Sequence, residues 1–134
     1  MYPYPSYNIT AINVNPGDTI TAEVRWNSGY FTLSMADGKQ SFSINVSARS
    51  VKRSSAEWIV EAPWMGGVLP LADFTPVTFT NCSATVNSVT GPISNSPAWQ
   101  DTFINMVGSS GLKGLTGGLN GGGDGFKVTW KASR

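Results

Sequence analysis

The sequence predicts an all-β protein, an antiparallel two-sheet β-sandwich folded as a single domain over residues 1–134. Three observations carry this prediction. Apolar residues repeat with a period of two in several short runs, Pro, Gly, Asn and Asp signals separate those runs, and no segment holds a 3.6-residue period. Short strands punctuated in this way build sandwiches or barrels. The chain shows neither an internal repeat nor a linker.

The first strand follows the turn signal "NPGD": in "NPGDTITAEVRW", Ile20, Ala22, Val24 and Trp26 alternate with Thr19, Thr21, Glu23 and Arg25, which predicts one apolar and one wet face. After "NSG", the run "YFTLSM" predicts its hairpin partner. The Asp37–Gly38 turn then leads into "SFSINVS", where Phe42, Ile44 and Val46 share a side. Further strands are predicted at "AEWIVE", "PVTFTNCSATV", "DTFINMV" and "GFKVTWK".

Two stretches depart from this pattern. "APWMGGVLPLADFTP" reads as a long loop with exposed-looking Trp64 and Met65, which fit an ordinary loop anchor better than a substrate cleft. "GSSGLKGLTGGLNGGGDG" reads as a mobile surface connection, because its glycines have no phosphate-binding frame: no Lys-Ser/Thr pair follows them and no helix opens behind them.

With 13% charged residues and a net charge of +1, the chain offers no electrostatic grip on nucleic acid or anionic lipid. It has no apolar run long enough for a membrane-spanning helix. Histidine is absent, which removes His-dependent triads and the commonest zinc ligand sets, and the residues call for no metal and no organic cofactor. The single cysteine, Cys82, has no internal disulfide partner and reads as a small buried strand residue. A polar surface of Ser, Thr, Asn and Gly points to an extracellular, secreted protein, although "MYPYPSYNIT" lacks the features of a secretion signal.

The candidate chemistry lies in "SSAEWIVEAP". As a strand, this segment turns Glu57, Ile59 and Glu61 to one face and Ala56, Trp58 and Val60 to the other, with the carboxylates about 6.5–7 Å apart. Like-charge proximity in a poorly solvated site raises a carboxylate's proton affinity, the physical route to a proton shuttle. The same spacing also describes an ordinary solvent-facing pair, and spacing alone does not choose between them.

The runs "ARSVKRSSAEWIVEAP" and "LPLADFTPVTFT", together with "NITAINVNPGDTITAEVRW" and the closing "GDGFKVTW", resemble the glutamic peptidases, the eqolisin or peptidase G1/A4 family, in its bacterial form. The resemblance covers nearly the whole chain. It implies a concanavalin-like jelly roll and an acid-acting endopeptidase that hydrolyses protein or peptide substrates with one catalytic glutamate and one glutamine. The glutamate is the second of the A-E-x-x-x-E segment, Glu61, and Glu57 takes a supporting or plain structural role.

The family's glutamine stands in a Q-T-G segment farther upstream, and no such segment occurs here; Gln40 and Gln100 do not match it. The opening "MYP" aligns with the end of the family's W-Y-E-x-Y-P run, which makes Tyr2 a substrate-binding residue of the groove. The resemblance therefore implies that Met1 is an internal methionine and that the domain is incomplete at its N-terminus. A missing N-terminal segment or a second chain would complete the sandwich, and this polypeptide alone is expected to be marginally stable or aggregation-prone. Two other readings stay open: a catalytically inactive truncated relic, and a carbohydrate-binding sandwich with Trp64, Trp99 and Tyr30 stacking on sugar rings.

Overall fold

In the computed structural model, which describes residues 9–134, nine strands and no helix occur among the described residues, and every ladder is antiparallel. The chain separates into two compact units, Met1–Ser54 and Ser55–Arg134.

The first unit holds β1 (Thr21–Asn27), β2 (Tyr30–Ala36) and β3 (Ser41–Val46), joined in the order β1-β2-β3. Register follows the hydrophobic pattern. Ala22, Met35 and Phe42 form one cross-strand row, Val24, Leu33 and Ile44 a second, and Trp26, Phe31 and Val46 a third. Trp26 and Phe31 meet edge to face at 5.0 Å, and the Arg53 guanidinium lies 4.3 Å from the Trp26 ring centre. The opposite face is polar, with Asn27 Nδ2 donating to Thr32 Oγ1 at 2.7 Å and Thr32 Oγ1 donating to Asn45 Oδ1 at 2.9 Å. Val24, in the middle apolar row, is 69% exposed.

Both hairpins of this unit turn where the sequence places them. Ser28 and Gly29 both have positive φ, as a two-residue type I′ connection requires. In the second turn the Asp37 carboxylate accepts the backbone N–H groups of Gln40 at 2.6 Å and Lys39 at 2.8 Å. Those two bonds, Gln40's first, hold the Asp37 carboxyl below its ordinary value of 3.8. A depressed carboxyl contributes stability above its unfolded-state pKa and loses it as pH falls through the folded-state value, so this turn is expected to weaken only below about pH 3.8. An NMR titration should place the Asp37 midpoint under that value; a midpoint at or above it would contradict the bonding seen here.

The second unit holds β4 (Val77–Phe79), β5 (Ser83–Val86), β6 (Val89–Pro92), β7 (Met106–Gly108), β8 (Gly111–Thr116) and β9 (Phe126–Trp130), in a four-stranded sheet of order β4-β9-β8-β7 and a β5-β6 hairpin. Phe79 and Phe126 are register partners and stack at 4.7 Å. The run predicted as one strand over residues 76–86 is two strands in separate sheets, broken at Asn81, whose φ is 54°. The run predicted over residues 101–107 joins a ladder only from Met106. Ahead of it, Asn105 Oδ1 accepts the Thr116 N–H and Ile104 O accepts the Thr116 hydroxyl, so side chains stand in for ladder bonds.

The glycine-rich stretch also differs from its prediction. Asn120 Nδ2 donates to Asp124 Oδ1 and the Asp124 N–H donates back to Asn120 Oδ1; Cys82 N–H and Ser94 N–H then bind the carbonyls of Asp124 and Gly123. The first part of the stretch, Gly111–Thr116, is strand β8, and the rest is a fastened connection rather than a floppy one.

Asn87 and Ser88, the two-residue turn between β5 and β6, both have positive φ. Asn tolerates that region and Ser does so poorly. Ser88→Gly is expected to stabilise the hairpin by about 0.5–1 kcal/mol. A rise in the urea midpoint at constant slope is the readout; an unchanged or lower midpoint would count against it.

The core is thin. Among the described residues the buried apolar side chains are Ile12, Leu71, Cys82 and Val128, and none is below 2% exposure. Lys113 of the second unit, the residue skipped where the β7–β8 register shifts, is also buried.

Candidate active site

Residues 55–62 lie outside every ladder, so the strand predicted for "AEWIVE" is not formed. The reason is a lack of neighbours: from Lys52 to Ala62 no backbone group bonds to another backbone group among the described residues. Trp58 and Val60 are half-buried while Glu57, Ile59 and Glu61 are exposed, so the two-sided character read from the sequence survives without the sheet.

Glu61 makes no hydrogen bond or ion pair among the described residues. Glu57 accepts the Ser55 hydroxyl at 3.1 Å, which ties it to its own segment and not to Glu61. Immediately downstream the backbone is fixed: Leu69 N–H donates to Pro63 O at 2.8 Å, Trp64 bridges Val68, and Leu71 N–H binds Ser133 O at 2.9 Å. Glu61 therefore sits two residues before a fastened hairpin. At its tip Trp64 and Met65 are 72% and 79% exposed, as their look in sequence suggests, and so lack the burial of loop anchors.

The Gln40 amide is engaged at both ends in its own unit, accepting from Asn13 N–H at 3.3 Å and donating to Asp37 Oδ2 at 3.2 Å. Gln100 is exposed. Tyr2 lies outside the described residues. Trp99 is half-buried with its indole N–H given to Ile93 O at 2.9 Å.

A cavity of about 390 Å³ opens elsewhere in the second unit, lined by Asn81, Cys82, Ser83, Gly91, Pro92, Gly122 and Asp124. Burial, and then the Asp124 carboxylate, push the Cys82 thiol above its usual value, which keeps it protonated and unreactive near neutral pH. Chemistry at this cavity therefore has no nucleophile in Cys82.

The family model described as the peptidase A4 family matches residues 1–129. The chain belongs to the peptidase A4 family. Its structure also resembles the crystal structure of aspergilloglutamic peptidase from Aspergillus niger, with a TM-score of 0.82 and 26% sequence identity over 97% of this chain and 76% of that chain. A comparison with curated proteins finds no match. This member of the peptidase A4 family thus has the all-β glutamic peptidase fold, and nearly a quarter of the A. niger chain has no counterpart in it.

Proposed function

We propose that the protein is an acid-acting glutamic endopeptidase in which Glu61 serves as general base and then general acid. The family match over residues 1–129, with Glu61 at the second acidic position of the A-E-x-x-x-E segment, carries this reading. The Glu61 carboxylate takes a proton from water as that water attacks the scissile carbonyl. The protonated Glu61 then gives the proton to the departing amine as the C–N bond breaks. A glutamine amide donates to the oxyanion formed in between, worth about 3 kcal/mol for one well-placed donor.

That glutamine comes from a polypeptide segment outside residues 1–134, because Gln40 is committed to its own turn and Gln100 lies outside the motif. Glu57 supports the segment locally through Ser55. Tyr2 walls the substrate groove, and the low charge of the chain suits action outside the cell. The substrate is a protein or peptide, with no nucleic acid or membrane partner.

The in-frame codons upstream of Met1 are expected to encode a Q-T-G segment. The chain extended by those residues should hydrolyse an acid-denatured protein. A stop codon directly before Met1, or an extended chain without hydrolysis, would defeat the reading. An exposed Glu61 with no partner among the described residues favours a second reading for the 134-residue chain by itself, an inactive relic of the fold. Turnover by that chain alone would dismiss it.

A further inference from the structure

We propose that Asn120 is a self-modifying site: the backbone nitrogen of Gly121 attacks its side-chain amide, ammonia leaves, and the carboxylate that results releases the loop that Asn120 fastens. Asn120–Gly121 is the one Asn-Gly step in the sequence. Glycine has no side chain to hinder the approach of its nitrogen, and a Cβ built on Gly121 meets nothing within 4 Å, so the attacking side is open. The Gly121 N–H makes no hydrogen bond among the described residues, and Asn120 is exposed to the water that the second step consumes. The inference is independent of the peptidase reading.

Asp124 prepares the target from two sides. Its N–H donates to Asn120 Oδ1 at 3.1 Å, where negative charge gathers as the amide carbon becomes tetrahedral, and its Oδ1 accepts from Asn120 Nδ2, the departing nitrogen, at 2.8 Å. Backbone bonds from Asn120 N–H to Gly125 O at 2.8 Å and from Gly123 N–H to Asn120 O at 3.0 Å close the loop around this arrangement and hold it. A bond forms between Gly121 N and Asn120 Cγ, the Cγ–Nδ2 bond breaks, and the proton lost by Gly121 leaves with the ammonia, carried by the Asp124 carboxylate. Water then opens the cyclic imide at either carbonyl and leaves an aspartate or an isoaspartate at position 120. The Nδ2 donor is gone, and a second carboxylate stands beside Asp124, where like charges repel. The bonds from Cys82 N–H to Asp124 O and from Ser94 N–H to Gly123 O then lose the loop that supports them.

The test is ageing of the 134-residue chain at mildly alkaline pH, followed by the mass and the isoaspartate content of its tryptic fragment 114–127, which ends at Lys127 and follows Lys113. The fragment should convert about threefold or more faster within the folded chain than as a free synthetic peptide, which has the Asn-Gly step without the fold. Asp124→Asn, which keeps the N–H and removes the carboxylate, should slow conversion towards the peptide's rate. Gly121→Ala should suppress it while far-UV circular dichroism stays that of the parent. Asn120→Asp should show at once the faster amide exchange at Cys82 and Ser94 that the aged parent acquires. Conversion no faster in the chain than in the peptide overturns the proposal, and so does an undiminished rate in Asp124→Asn. An aged chain that is converted at position 120 yet keeps the parent's exchange at Cys82 and Ser94 overturns the release of the loop.

Discussion

Glu61→Gln is expected to abolish hydrolysis of a denatured protein by the chain extended upstream of Met1, with a loss of about 100-fold or more, the usual range for removal of a general acid–base. The change keeps the side chain's shape and removes only the ability to exchange a proton. Because Glu61 has no hydrogen bond or ion pair among the described residues, the substitution breaks no structural contact seen here. Far-UV circular dichroism and the exchange pattern of β8 and β9 should therefore match the parent. Glu57→Gln supplies the contrast: Glu57 is tied to Ser55, and its loss should lower the rate far less. Parent-like turnover in Glu61→Gln would remove Glu61 from the chemistry. An equal loss in both variants would mean that the pair works as a unit.

How much of this could be read from the sequence depends on how local the information is. The β1-β2-β3 sheet is spelled out by its own alternation and by the Ser28–Gly29 and Asp37–Gly38 turns, and its strands form close to where they are predicted. The break at Asn81 was harder to see, because a single left-handed residue interrupts an otherwise even pattern. A count of glycines conceals the pairing of Asn120 with Asp124, and with it the order of that loop. Residues 55–62 are the instructive failure. Alternation specifies a strand, but a strand exists only with a neighbour, and the neighbour is a non-local matter that no window of sequence contains. The same limit governs the site: spacing offers Glu57 and Glu61 equally, and family resemblance alone separates them.

Gly125→Ala is expected to destabilise the second unit by about 1–3 kcal/mol, the cost of forcing extra volume into a closed site. A Cβ built on Gly125 would lie 2.7 Å from Phe79 O and 2.9 Å from Asn120 Nδ2. The first of these is backbone of β4, fixed by the Phe79–Phe126 pairing, so relief requires β4 to move away from β9. That movement would part the stacked Phe79 and Phe126 rings and disturb the neighbouring bonds from Asn120 N–H to Gly125 O and from Cys82 N–H to Asp124 O. With few buried apolar side chains in this unit, little else can compensate. Gly121→Ala is the control, since its added methyl meets nothing within 4 Å and should leave the urea midpoint unchanged. If both variants unfold at the parent's midpoint, the contact between β4 and the glycine-rich loop is looser than the geometry requires, and the fastening of that loop loses its energetic meaning.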